Sequence, residues 1–251
     1  MTIQEKLKQV SQLQAQLKEL RPLNATELKR LRDEFIIENT YNSNAIEGNT
    51  LTLRETALIL QEDITIAEKP LKDHLEAIGH KDAFEYVVSL ADKAAPLTER
   101  VIKEIHSLVL MNDSLNRGVY RSVPVTILGA LHTPPQPYLV AKQIEELLLE
   151  YPVWQSQYST IECVSRFHLA FESTHPFIDG NGRTGRLILN LELMKAGLLP
   201  VNIKFADRRS YYNCFDSYYE NNKDIQALAN LIADYEIAEL IRHIKIVKGE
   251  Q

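Results

Sequence analysis

Cysteine is nearly absent: Cys163 and Cys214 are the only two, and neither sits in a metal-type spacing. That excludes a disulfide scaffold and a zinc module, and it makes a reduced, cytoplasmic setting the expectation. A basic surplus is missing too. Lys and Arg number 28 against 34 Asp and Glu, for a formal net charge of −6. This balance argues against a general nucleic-acid or membrane-surface binder. No apolar run approaches the roughly 18 residues a membrane helix needs, and the polar N-terminus has no signal-peptide pattern. No nucleic-acid or membrane partner is therefore expected. Glycine is scarce, nine in 251 residues. With long Leu/Glu/Lys/Ala-rich stretches, that scarcity leaves a mainly α fold as the expected class.

The chemistry concentrates in His175-Pro176-Phe177-Ile178-Asp179-Gly180-Asn181-Gly182-Arg183-Thr184-Gly185-Arg186. The apolar run Leu187, Ile188, Leu189, Leu191, Leu193, Met194 follows with helical composition. A glycine turn feeding a helix leaves the first backbone N–H groups unpaired beside the positive dipole end, which makes an anion site. Arg183 and Arg186 are three apart, so they are expected on one face, gripping the same polyphosphate. Asp179 is a hard oxygen ligand suited to one Mg²⁺ carried in with phosphates. His175 is the only side chain of the loop able to accept a proton near neutral pH. These parts read as phosphoryl or nucleotidyl transfer to a hydroxyl.

His-Pro-Phe-x-Asp-Gly-Asn-Gly-Arg-x-x-Arg resembles the signature loop of the Fic-domain family, and every specified position is met here. The resemblance implies a Fic-type helical bundle with a short β-hairpin flap. It implies a protein adenylyltransferase, moving AMP from ATP to a Ser, Thr or Tyr hydroxyl of a target protein. ATP is then the co-substrate and Mg²⁺ or Mn²⁺ the ion, held by Asp179. His175, Asp179, Asn181, Arg183 and Arg186 become the expected catalytic set. The nucleotide is expected on Gly180, Asn181, Gly182, Arg183, Thr184, Gly185 and Arg186, with Tyr212 and His132 nearer the base. A sister activity on the same loop (removal of AMP, or transfer of another phosphate-linked group) is the alternative within enzymes. A catalytically silent nucleotide-binding adaptor is the alternative from another class.

Upstream, residues 3–20 carry Ile3, Leu7, Val10, Leu13 and Leu17 at helical spacing, which fits either a dimerising helix or one packed on the protein's own core. A homodimer is one expectation that follows. Asn24 opens a second helix to about Ile46, and Gly48-Asn49 reads as its C-cap. Glu47 there opposes the helix dipole, so a compensating cation is expected nearby. Ser43-Asn44-Ala45-Ile46-Glu47-Gly48 resembles the inhibitory [Ser/Thr]-x-x-x-Glu-[Gly/Asn] motif of one class of Fic proteins. That likeness implies that Glu47 reaches Arg186 and switches the enzyme off. The chain thus divides into an N-terminal helical segment, 1–50, carrying Ser43, Glu47 and Gly48, and a core over 51–251.

Within the core, Thr52-Leu53-Arg54-Glu55 has capping-box form, and helices are expected over 72–91, 98–111, 137–150 and 159–173. Gly118-Val119-Tyr120-Arg121 resembles a recurring turn of the family whose arginine is structural. Residues 121–133 are the one β-rich stretch. Val123, Val125 and Ile127 alternate and Gly129 marks a turn, so a hairpin is expected, and His132-Thr133-Pro134-Pro135 matches the family's flap exit. Such a flap would dock the target protein as an added strand. His168 is expected as a packed or hydrogen-bonded core histidine rather than a metal ligand. Tyr211, Tyr212, Tyr218 and Tyr219 lie on a helix over 207–222. Tyr212 borders adenine if the family pattern holds, while Tyr219 departs from the small or amide residue that many relatives carry. A last helix is expected over about 224–247.

Overall fold

The computed structural model describes residues 1–127 and 129–249. Ten α-helices follow one another: α1 Ile3–Glu19, α2 Ala25–Ile46, α3 Leu53–Glu62, α4 Leu71–Asp92, α5 Glu99–Val109, α6 Pro137–Gln155, α7 Thr160–Thr174, α8 Asn181–Lys195, α9 Arg208–Glu220 and α10 Gln226–Lys248. Thr2, Asn24, Thr52 and Ser159 each close a capping box with the glutamate three residues on, which fixes four of the starts locally. The tyrosine helix begins with a 3₁₀ turn, Phe205–Asp207. α6 runs past its expected end at 150, through Pro152. Pro152 removes one hydrogen bond from a last turn that Tyr151 and Trp154 hold down against the core.

α8 is central because it has no face fit for water. Leu187, Ile188 and Leu191 enter one core with Phe84, Ile102, Ile105 and Phe171. Leu189 and Leu193 enter a second with Val164, Leu169, Leu228 and Ile232. From Arg183 to Leu193 every residue of α8 is buried, polar ones included, and α7, α4, α5 and α2 surround it. Each such side chain contributes about 1.5–3 kcal/mol on burial. The helix that carries the functional turn is therefore the most firmly held element of the fold. α1 lies along α10, with Ile3 and Val10 in the second core. Its apolar stripe is thus spent on the protein's own core.

The expected hairpin over 121–133 is not formed. No strand occurs among the described residues, and Leu128, at the tip of this stretch, lies outside them. Two short alternating segments with no sheet to join are marginal on their own. Side chains at the two ends hold the stretch instead. Buried Arg121 donates to the carbonyls of His175 (2.8 Å), Val123 (3.2 Å) and Pro135 (2.6 Å). His132 Nε2 donates to the Ser173 carbonyl at 2.8 Å, and its ring stacks on Tyr219 with centroids 4.4 Å apart. Arg121 is structural, as the turn implied.

Candidate active site

α7 ends in the left-handed conformation at His175, φ 47°, and α8 starts from Gly180, φ 76°. The loop between them is braced from below. Phe177 is fully buried and stacks on His106, with centroids 3.6 Å apart and planes 3° off parallel. Gly118 N–H donates to His106 Nδ1 at 2.8 Å, so the ring proton sits on Nε2 and is donated to the Asp179 carbonyl at 2.9 Å. Burial pushes the His106 pKa down to about 4, which keeps that tautomer neutral. Sequence reasoning missed His106; its helical spacing with Ile102 and Val109 marked it only as inward-facing.

Asn181 serves the same bracing. Its side chain accepts from Phe177 N–H at 2.8 Å and donates to the Phe177 carbonyl at 2.9 Å. The expected phosphate contact from the Asn181 side chain is therefore replaced by a structural one. Thr184 is buried as well, and its N–H makes the first α8 hydrogen bond, to Gly180 at 3.0 Å. At Gly185 a Cβ would lie 2.7 Å from Glu172 Oε1 and 2.9 Å from His168. It is a packing glycine between α7 and α8. His168 is a core residue, with Nε2 2.6 Å from the Tyr211 hydroxyl.

The two arginines part company. Three residues along a helix leave a rotation of about 60° between them, enough to send long side chains to different neighbours. Arg183, 1% exposed, turns to α4, with Nη1 3.0 Å from Glu76 Oε1 and Nη2 3.2 Å from Asp179 Oδ1. Glu76, which sequence reasoning also missed, holds Asn49 Nδ2 at 2.9 Å from its other oxygen. Arg186 turns to α2. Its Nε donates to Ser43 Oγ at 3.0 Å, and its Nη2 donates to the Ser43 carbonyl at 2.8 Å and to Glu47 Oε1 at 2.9 Å. Arg186 is thus the cation that offsets Glu47 at the end of α2. The contact uses one carboxylate oxygen, not the two of a paired fork.

Glu47 is aimed by the way α2 ends. Gly48 sits at φ 94°, Gly48 N–H bonds the Ala45 carbonyl and Asn49 N–H bonds the Asn44 carbonyl, a Schellman ending. The carboxylate lies directly over Gly182, where any Cβ would collide with Oε1. No side chain caps the first turn of α8. Glu47 therefore occupies the anion position at that helix start.

His175 and Asp179 flank this position. Burial first, and Arg121 second, hold the His175 pKa down to about 4, so the imidazole is neutral at physiological pH. Burial would raise the Asp179 pKa, but Arg183 and the Gly180 N–H outweigh it and the carboxyl lies below its ordinary range. Asp179 Oδ1 accepts from Gly180 N–H at 2.6 Å, while Oδ2 is faced only by Lys72 Nζ at 3.9 Å. That half-exposed oxygen fits a divalent ion. No cluster of three His, Cys, Asp or Glu able to hold a metal occurs among the described residues, so an ion's other ligands would come from phosphate oxygens and water.

A cavity of about 340 Å³ opens above the turn, lined by Glu47, His175, Asp179, Gly182, Arg186 and, further out, His132, Arg208, Tyr212 and Tyr219. Tyr212 borders it, 38% exposed, with Arg208 over its ring. Tyr211 and Tyr218 are buried core residues.

Three buried histidines and the partly buried His175 share a depressed pKa. Burial pushes His80 and His168 to about 3, and His106 and His175 to about 4. Unfolded, all four would take up protons near the ordinary 6.5, so their contribution to stability is present above that pH and is lost as pH falls toward 4. Glu172 and Glu236, pushed up to about 8 chiefly by burial, work in the opposite direction and offset part of the loss. Tm is expected to fall steadily between pH 6.5 and 4.5. A flat Tm across that interval would mean that the rings are protonated in place.

This arrangement defines a helical protein built around an anion-binding turn, with a neutral imidazole and a carboxylate beside it. Residues 96–193 match the Fic/DOC family. Over 218 residues the chain is 37% identical to a protein named Protein adenylyltransferase Fic from Nematostella vectensis, covering 84% of this chain and 49% of that protein. A protein of the same name from Drosophila willistoni is 33% identical over 213 residues, 82% of this chain and 41% of its own length. The chain spans about half the length of these curated relatives or less. The crystal structure of a Fic domain containing signaling protein from Bacteroides thetaiotaomicron matches with a TM-score of 0.89 at 30% identity, over 97% of this chain and 98% of that one. Fic-1 from C. elegans matches with a TM-score of 0.84 at 30% identity, over 98% and 73% of the two chains. The chain belongs to the Fic/DOC family.

Proposed function

We propose that this chain is a protein adenylyltransferase that transfers AMP from ATP to a Ser, Thr or Tyr hydroxyl of a target protein, and that Glu47 restrains it. What carries the reading is one juxtaposition: neutral His175 stands beside the uncapped start of α8, and an acid, Glu47, already lies in the anion position there. The N–H groups of the Gly180-Asn181-Gly182 turn receive phosphate oxygens, and Arg186 receives the outer phosphate once Glu47 leaves it. His175 takes the proton of the target hydroxyl, whose oxygen attacks the α-phosphorus as pyrophosphate departs. Asp179 would hold a Mg²⁺ or Mn²⁺ ion, which neutralises phosphate charge when bound. Arg183 supports this indirectly, by fixing Asp179 against Glu76. The target segment docks beside Ile127, Gly129 and Ala130, which line the cavity.

One observation favours a second reading. A carboxylate standing among the catalytic groups can position water, so removal of AMP from a modified target is the sister activity to test. Incubation with α-labelled ATP separates transfer from silent binding, because an adaptor leaves no covalent label. Asp179→Ala is expected to lower transfer at least about 100-fold in saturating Mg²⁺, since among the described residues no other carboxylate shares its place in the loop. Transfer at the parental rate would remove Asp179 as the ion's ligand.

A further inference from the structure

A second carboxylate stands in the cavity wall that the transfer mechanism does not use. Glu172 lies one helical turn before His175 on α7, with Oε2 4.0 Å from His175 Nδ1 and only 12% of its side chain exposed. Glu172 Oε1 and His175 Nδ1 are both buried and without a hydrogen-bond partner. The Glu172 backbone carbonyl faces the same ring nitrogen without forming a hydrogen bond to it. Sinking a carboxylate in a protein wall without a bonded partner is costly, and an apolar side chain of the same length would avoid the cost. Oε2 is the oxygen nearest the unmet ring donor, in reach of it after a small rotation, while the unmet Oε1 faces Gly185 and His168. Apo sites commonly hold such pairs long and close them only when substrate is bound.

We propose that Glu172 is the positioning residue for His175, accepting Nδ1–H so that Nε2 is the nitrogen that takes the target's proton. The proposal rests on the reading of His175 as the transfer base. In the step itself the hydroxyl proton passes to Nε2 and the oxygen bonds to the α-phosphorus. The bond from phosphorus to the pyrophosphate oxygen breaks with its electron pair, and Glu172 balances the imidazolium through Nδ1–H. No electron changes hands between protein and substrate.

The surroundings add a link to the restraint by Glu47. Glu172 is faced by Glu47 from α2, Arg186 from α8, Tyr211 and Tyr219 from α9, and His168 and His175 on its own helix. Burial first, and Glu47 second, push its pKa up to about 8, while Arg186 pulls it down. With Glu47 seated, burial and that second carboxylate favour the protonated form of Glu172, which cannot balance an imidazolium. Removing Glu47 takes away the second cause and lets Glu172 ionise nearer neutrality.

The test compares Glu47→Gly with Glu47→Gly/Glu172→Gln, which keeps shape and removes charge. kcat for AMP transfer is expected to fall about tenfold or more, with KM for ATP within about twofold, because the loss falls on the base and not on phosphate binding. In proteins carrying ¹⁵N-labelled histidine, the His175 midpoint should drop by about one pH unit or more in the double variant. The Nδ1–H tautomer should lose population at the same time. Tm should hold or rise, since an unpaired buried acid is gone. A fall in kcat without a change in midpoint or tautomer would overturn the proposal, as would an unchanged kcat. The titration requires no turnover. If Glu47→Gly itself failed to label any protein, the transfer reading would fall, and the pair of titrations would still decide whether Glu172 governs the ring.

Discussion

Glu47→Gly is expected to raise AMP transfer, including transfer to the protein's own hydroxyls, by roughly ten- to several-hundredfold over the wild type. The carboxylate lies over Gly182 and bonds Arg186 Nη2 at 2.9 Å, so it fills the place where the outer phosphate must sit. Arg186 is nearly buried while the Glu47 side chain is one-third exposed. The pair should therefore be worth more than the ~1 kcal/mol of an exposed bridge and less than the 3–5 kcal/mol lost on breaking a fully buried one. At about 1.36 kcal/mol per tenfold in rate, that interval sets the range. Under the proposed restraint, ATP would bind with Glu47 in place only in a posture that does not align the α-phosphorus with the attacking hydroxyl. Glu47→Gly/Arg186→Ala should remain silent, because Arg186 is needed by the phosphate in its own right. Side-by-side labelling with α-labelled ATP decides the matter: no gain in Glu47→Gly, with ATP affinity intact, would sink the restraint. Loss of AMP removal in the same variant is compatible, since the same carboxylate would serve that reaction.

His175→Ala is expected to lose transfer by about 10²–10⁴-fold while ATP affinity stays within a few-fold. The division of labour is visible in the site. In the proposed reading the phosphates are assigned to the α8 turn and to Arg186, and His175, at the end of α7, is left to the proton. Its backbone N–H bonds the Phe171 carbonyl at 3.0 Å, and Arg121 holds its carbonyl, so truncation beyond Cβ leaves the loop anchored. A ring whose pKa lies near 4 needs no prior deprotonation at neutral pH, and the parent's transfer should show no histidine step at 6.5. Calorimetry with ATP and labelling with α-labelled ATP should dissociate in the variant. Joint loss of both, with the fold intact by circular dichroism, would mean that His175 binds rather than accepts the proton.

The loop at 175–186 and the motif at 43–48 could each be read from single letters because their chemistry is local. A glycine turn before an apolar run makes an anion site wherever it folds, and an acid at a helix end wants a cation wherever one is supplied. Capping boxes at Asn24 and Thr52 are equally local, since the bonded groups are three residues apart. By itself, then, the sequence determined the capped helix starts, the apolar run of α8, the anion turn and the likeness between 43–48 and an inhibitory switch. Tertiary structure alone decided where the arginines went. Three residues of separation allow a shared face, but Glu76 on α4 drew Arg183 one way and Ser43 with Glu47 on α2 drew Arg186 the other. It also gave Asn181 to the Phe177 backbone, set His106 beneath the loop and left the described residues of 121–133 outside any strand. Each of these depends on which element comes to lie within about 3–4 Å of a side chain, and that distance is set by packing across the two cores.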